Sequence, residues 1–199
     1  MPASGPRIGI FGGTFDPIHT AHLQLAEKVR TTLGLDCMLL VVANRPWQKE
    51  GERPVTPAED RFAIVEAAVV GWPSLVPSRI EIDRGGPSYT VDTVRQILGD
   101  EPGAEITVVV GSDVVAGLTT WHDEAALSDL VTLAVVGRPG VAPVEPPPGW
   151  RSVSVPAAPF DVSSTELRRR LEHGEPVEGW VPEAVIRCIH QRGLYATDR

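Results

Sequence analysis

Two histidines, His19 and His22, follow a pair of glycines, Gly12 and Gly13, in the run Ile8-Gly-Ile-Phe-Gly-Gly-Thr-Phe-Asp-Pro-Ile-His-Thr-Ala-His22. On a helix a spacing of three puts both imidazoles on one face, a turn apart. Imidazole titrates near neutral pH and can donate hydrogen bonds to oxygens whose charge grows in a transition state. The glycines carry no Cβ to keep backbone N–H groups from an anion, and the dipole of the following helix favours negative charge at the same place. Thr14 adds a hydroxyl donor. These residues predict a phosphate seat between a strand, Arg7 to Phe11, and a helix that carries the histidines.

Taken alone, an H-x-x-H pair is most simply two histidines without a task; the conjunction of strand, glycines, hydroxyl and helix start is what points to phosphate. A helical zinc pair would need the i, i+4 spacing, and His122, His173 and His190 show no ligand-like spacing to the first two. The Walker sequence is absent, and Gly9-Ile-Phe-Gly12 does not have the G-x-G-x-x-G spacing. A second anion site is expected late in the chain, in Val162-Ser-Ser-Thr-Glu-Leu-Arg-Arg-Arg-Leu171. Ser163 and Glu166 form a capping box, which explains those two residues but not three hydroxyls in a row. Ser163, Ser164 and Thr165, the unpaired N–H groups of the helix start and Arg168 one turn in would surround an anion.

The elements that must hold these groups read as an alternation of strands and helices. A helix runs from the histidines to Leu33 with Gly34 as its stop, and Cys37 to Ala43 is a strand buried on both faces, completing a βαβ unit. A ligand at the carboxyl end of the first strand follows from that topology. The next loop, Asn44 to Gly51, carries Trp47 and Lys49. Thr56-Pro-Ala-Glu59 is a capping box opening a helix from about Pro57 to Val70. Leu75 to Ile82 is a third strand, followed by Ser88, Tyr89 and Thr90, with Thr90 the N-cap of a helix over 91–98. Ile106 to Val110 is a fourth buried strand opening into Gly111-Ser-Asp113; that acidic turn suits a ribose or a metal, or simply caps a helix. Trp121 leads into Asp123 to Leu127, and Val131 to Val136 is a fifth strand. Arg138 fits an adenine face or a plain turn equally well. A Pro-rich loop over 139–150 and a last helix, Pro182 to Gly193, complete the chain.

Gly12-Gly-Thr-Phe-Asp-Pro-Ile-His-Thr-Ala-His-Leu23 resembles the first signature of the nucleotidylyltransferases related to class I aminoacyl-tRNA synthetases, and most closely that of bacterial nicotinate-nucleotide adenylyltransferases. That family usually has Gly before the second His, where this chain has Ala21. Ser88 to Thr93, Gly111-x-Asp113 followed by Trp121, and Val162 to Arg168 resemble its later motifs. The resemblance implies an α/β fold, a Rossmann-like doubly wound parallel sheet in a single domain over 1–199, with a flexible N-terminus over 1–6 and a C-terminal helical portion over 163–199. It implies adenylyl transfer from ATP to nicotinate mononucleotide, with pyrophosphate released and Mg2+ held mainly by substrate phosphates rather than by protein ligands. His19, His22, Thr14, Lys49 and Arg168 would be catalytic. Gly12, Gly13, Phe15, Gly111, Asp113, Arg138, Ser163, Ser164 and Thr165 would bind ATP, and Ser88, Tyr89, Thr90 and Trp121 the nicotinate mononucleotide. Another acceptor, nicotinamide mononucleotide or phosphopantetheine, and a non-catalytic nucleotide sensor are the alternatives.

The whole-chain properties agree. A chain of 199 residues, 42% hydrophobic and 22% charged, suits one substantial core. A net charge of -8 argues against a general nucleic-acid binder, which needs many Lys and Arg, so phosphate recognition must be local. Two cysteines in apolar runs, Cys37 and Cys188, suggest buried thiols in a reducing compartment. With no apolar run near the ~20 residues of a membrane helix and no secretory leader, a cytoplasmic protein with small-molecule partners is expected, homo-oligomers being allowed for.

Overall fold

A computed structural model describes residues 5–46, 54–137, 144–156 and 162–196. Trp47, Lys49 and Arg138, with residues 1–4 and 139–143, lie outside the described residues. The elements are β1 (Arg7–Gly13), α1 (Thr20–Leu33), β2 (Cys37–Val42), α2 (Ala58–Ala68), β3 (Leu75–Ser78), α3 (Ile80–Arg84), α4 (Thr90–Asp100), β4 (Glu105–Gly111), a 3-10 helix (Val115–Thr120), α5 (Glu124–Leu130), β5 (Val131–Val136), β6 (Arg151–Val155), α6 (Ser164–His173) and α7 (Glu183–Arg192). The strands form one six-stranded parallel sheet flanked by helices, in the order β3-β2-β1-β4-β5-β6, the doubly wound Rossmann-like order.

The chain divides into two compact units. The first comprises 1–12, 26–39 and 89–159. Its strands pair in register, Ile8 with Ile106, Ile106 with Val131 and Val136 with Val155. β4 and β5 are buried along almost their whole length, as strands covered on both faces must be. Gly9 is required on β1 because a Cβ there would approach Met38 Sδ to 2.6 Å and Leu35 Cδ1 to 2.9 Å, and both side chains are core. The ladder is anchored from its first residues: the Glu105 N–H donates to Pro6 O at 2.9 Å.

The second unit comprises 13–25, 40–88 and 160–199. α2, buried at Arg61, Phe62, Ile64, Val65 and Ala68, packs on α7, buried at Val185 and Ile189, with Arg192 and Asp60 paired at 2.6 Å. Gly174 and Gly193, both left-handed, terminate α6 and α7.

Several expectations are corrected. The glycine pair belongs to β1 rather than to a loop after it; the positive φ falls on Phe15, at 49°. The third strand stops at Ser78 and the chain turns into α3, because Pro77 removes a donor and Ile80 to Arg84 takes up helical bonds. The Thr56 box does not form: Pro57 is the N-cap of α2, with no side-chain bond, and Tyr89 rather than Thr90 precedes α4. A sixth strand, β6, follows the Pro-rich run. Its Ser152-Val-Ser-Val155 alternation is only four residues long, and four of its five residues are exposed. Cys37 and Cys188 are free and half-buried rather than buried.

Candidate active site

The turn from Gly13 to α1 is built tightly. Phe15 is 3% exposed, in a left-handed conformation unusual for a bulky residue. A Cβ on Gly13 would come within 2.8 Å of its ring, so Gly13 lets the ring fold under the turn. The ring meets His22 edge-on, centroids 5.4 Å apart, and the Asp16–Pro17 peptide that follows is cis. At Gly12 a Cβ would meet nothing within 4 Å.

His19 directly precedes α1, and its carbonyl accepts the N–H of His22 at 2.9 Å. The two imidazoles stack, centroids 3.6 Å apart and planes 24° from parallel. The His19 N–H donates to His22 Nδ1 at 3.2 Å. That bond uses the Nδ1 lone pair, so the proton of neutral His22 sits on Nε2 and is a fixed donor. Burial pushes the His19 pKa from 6.5 down to about 4, which keeps this ring uncharged at neutral pH. Its Nδ1 is buried with no hydrogen-bond partner in the protein, a costly state unless a ligand or water completes it.

α6 starts against the same turn. Ser163 caps the helix by accepting the Glu166 N–H at 3.2 Å, as expected. Glu166 does not complete the box; Arg169, and then Arg170, hold its carboxyl down at a pKa of about 2. Ser164 donates to Pro17 O at 2.9 Å, and Thr165 accepts from Arg168 Nη2 at 3.1 Å while Arg168 Nη1 donates to Asp16 O at 2.5 Å. The three consecutive hydroxyls thus have three separate structural tasks, and each keeps further hydrogen-bonding capacity. The early and late motifs are one cluster.

The neighbouring loop pair is fixed by Ser88, whose Oγ accepts the Asn44 N–H at 2.9 Å and whose N–H donates to Arg45 O at 3.2 Å. Asn44 Nδ2 donates to Gly86 O at 2.9 Å, and the turn rests on Gly85 and Gly86, both at φ 70°.

The remaining candidates lie in the first unit. Tyr89 stacks on His122, centroids 4.3 Å apart and planes 24° from parallel; Thr90 opens α4, whose first N–H groups have no intrahelical acceptor. Trp121 ends the 3-10 helix, half-buried. Asp113 folds back so that its carboxylate lies over the Gly111 Cα, where a Cβ would displace it. Sequence reasoning does not single out His122, whose only signal is its place beside Trp121. Nor does it single out Asp16, Arg61 and Tyr195, buried or half-buried around the first turn. Among the described residues no group of three or more His, Cys, Asp or Glu could hold a metal ion.

A parallel sheet of this order with a histidine-bearing turn after its first strand defines a nucleotidyltransferase of Rossmann-like type. The chain belongs to the cytidylyltransferase-like family, whose profile matches residues 10–170, and within it to the nicotinate-nucleotide adenylyltransferases. It is 44% identical over 189 residues to the probable nicotinate-nucleotide adenylyltransferase of Thermus thermophilus, covering 95% of this chain and 99% of that one. It is 42% identical over 193 residues to the protein of the same name from Corynebacterium kroppenstedtii, covering 96% and 91%. The fold is also that of the Plasmodium falciparum nicotinic acid mononucleotide adenylyltransferase solved with NaAD, at a TM-score of 0.77, 17% identity and 96% and 97% coverage.

Proposed function

We propose that the protein transfers the adenylyl group of ATP to nicotinate mononucleotide, the 5'-phosphate attacking the α-phosphorus in line to give nicotinate adenine dinucleotide and pyrophosphate. Both reactants carry the reacting groups, so no protein nucleophile is needed; positioning and charge stabilisation supply the rate. The observation that carries the reading is the stacked pair with its oriented His22 Nε2–H, set in a turn to which Ser164 and Arg168 are also bonded. His19, His22 and Thr14 would hold the α- and β-phosphates. Ser163, Ser164, Thr165 and Arg168 would hold the β- and γ-phosphates at the start of α6, with Lys49 from its loop.

On the acceptor side, Ser88 has its N–H and its hydroxyl oxygen engaged within its own loop pair. The nicotinate carboxylate would be seated by the N–H groups of Tyr89 and Thr90 at the start of α4, a favourable place for an anion, with the Ser88 O–H still able to donate beside them. Trp121 offers the pyridine ring a stacking face. Mg2+ would be held mainly through the oxygens of the substrate phosphates, a role that needs few protein ligands. When bound it neutralises charge that develops during transfer. Two unpaired thiols suit a cytoplasmic setting, and no helix among the described residues is long and apolar enough to cross a membrane.

Pyrophosphate release with ATP and Mg2+ should be fast with nicotinate mononucleotide and slow with nicotinamide mononucleotide or phosphopantetheine. ATP binding with no pyrophosphate from any of the three would make the protein a nucleotide sensor and end the proposal.

A further inference from the structure

Asp16 and Arg61 are 2% and 1% exposed, an acid and a base buried together beneath the first turn. Burial lowers the Arg61 pKa and the Asp16 charge opposes that shift, so the pair is held by mutual compensation rather than by water. The guanidinium places each of its three nitrogens on a different backbone carbonyl: Nε on Thr56 O at 2.7 Å, Nη1 on Thr14 O at 2.7 Å and Nη2 on Asn44 O at 3.3 Å. One rigid fork thereby fixes the turn after β1, the loop after β2 and the entry to α2. A lysine could not reproduce it.

The third member comes from the other end of the sequence. Tyr195 donates its hydroxyl to Asp16 Oδ1 at 2.7 Å and shares a side-chain hydrogen bond with Thr56. It does so from a left-handed conformation, φ 60°, which an L-residue adopts only at a cost. A residue near the chain end has no reason to accept that cost unless its side chain is held where it is. Burial, and then the Asp16 charge, raise the Tyr195 pKa, so the hydroxyl stays a donor. Asp16 is held at both ends: its carboxylate by Tyr195 and its carbonyl by Arg168. Its position along the chain, three residues before His19, makes any movement of Asp16 a movement of the histidine pair.

We propose that Tyr195, acting through Asp16 and Arg61, is a positioning residue that sets the histidine-bearing turn for adenylyl transfer. The assignment rests on the adenylyl-transfer reading above. Its signature is a loss in turnover rather than in substrate binding, because the histidines act on charge that grows in the transition state.

The test uses the full chain with Tyr195→Phe, which removes only the hydroxyl, and Asp16→Asn, which keeps the shape of the acceptor. Each should keep the wild-type circular dichroism spectrum and lower kcat about tenfold, with KM for ATP and for the mononucleotide within about twofold. The double substitution should lose no more than the worse single one, as expected of residues acting as a unit. A folded Tyr195→Phe protein with wild-type kcat would overturn the proposal, as would single losses that multiply in the double variant. Should one variant fail to fold, the kcat of the other decides. An absence of pyrophosphate release in the wild type would instead remove the underlying reaction, so the two failures are distinct.

Discussion

The turn that carries the histidines and the segment from Tyr89 to Trp150 are held together by different kinds of bond. Around the turn, side chains grip main chain: Arg61 on Thr14 O, Ser164 on Pro17 O, Arg168 on Asp16 O, and Thr20 Oγ1 on Trp180 O at 2.9 Å. In the other segment the contacts between residues distant in sequence join side chain to side chain. Tyr89 lies on His122, Arg95 meets Asp123 at 2.5 Å with both about half exposed, and the Trp150 indole donates to Glu124 at 2.6 Å. Bonds to carbonyls fix backbone, and with it the direction of every N–H and ring along the turn. Ring contacts and exposed ion pairs are individually worth about 1 kcal/mol or less and can be exchanged without moving the chain. A group-transfer site needs its donors in place before charge develops. A surface joined by such contacts can be retuned one side chain at a time, which suits the acceptor-binding role proposed for Tyr89, Thr90 and Trp121.

If that contrast is sound, damage at the turn should fall on rate. His22→Ala removes the oriented Nε2–H and should lower kcat by about 10²–10³ while leaving the far-UV circular dichroism unchanged. Turnover near the wild-type level would erase the distinction between the two regions.

The next effect is on stability. His19 is buried with a pKa of about 4. The unfolded chain takes up a proton on this residue below about 6.5, whereas the folded chain resists until about 4. Its contribution is therefore complete above pH 6.5 and drains away as the pH falls toward 4, by roughly 3 kcal/mol in all. Urea midpoints measured from pH 7 to 4.5 should fall more steeply for the wild type than for His19→Gln. Parallel curves would mean that the ring is not buried as a neutral group.

On the other side of the comparison, Trp121→Ala should raise KM for nicotinate mononucleotide about tenfold, the scale of a lost ring contact with its buried area. KM for ATP should hardly change. An equal rise in both constants would make Trp121 part of a shared scaffold.

How much of this can be read from residue order depends on where the determinants lie. The glycine pair, the histidines and Ser163 are local signals, and β5 and α7 come out as expected because a continuous apolar run and terminal Gly or Pro mark them within a few residues. β6 leaves only a faint trace, a Ser-Val-Ser-Val alternation four residues long in a strand whose first four residues are exposed, too short to stand out after a Pro-rich run. Arg61 does leave a trace: with Ile64, Val65 and Ala68 it occupies one helical face, and a charge on an apolar stripe asks for a partner. The partners, at 14, 44, 16 and 195, are distant in sequence and no spacing rule reaches them. The three hydroxyls at 163–165 exceed what a cap needs, yet the bond from Ser164 to Pro17, 147 residues away, exists only once the fold has brought the two together.

The smallest effect separates the two helix starts that look alike in sequence. Ser163 at α6 accepts a backbone N–H, so Ser163→Ala should cost about 1 kcal/mol and lower Tm by roughly 2–4 °C. At α2 the matching box does not close, because Pro57 is the cap and Glu59 turns outward to an exposed pairing with Arg79 at 2.9 Å. Glu59→Ala removes only that pairing and should cost a few tenths of a kcal/mol. Pro57 explains why the two differ: its fixed φ already sets the entry of α2, and its ring nitrogen has no N–H that a side chain must satisfy. α6 has no such preset, so its hydroxyl carries the start of the helix together with the bonds that tie it to Asp16 and Pro17. Thermal scans of the two variants side by side measure that asymmetry, and equal shifts would show that proline and hydroxyl do the same work at the two ends.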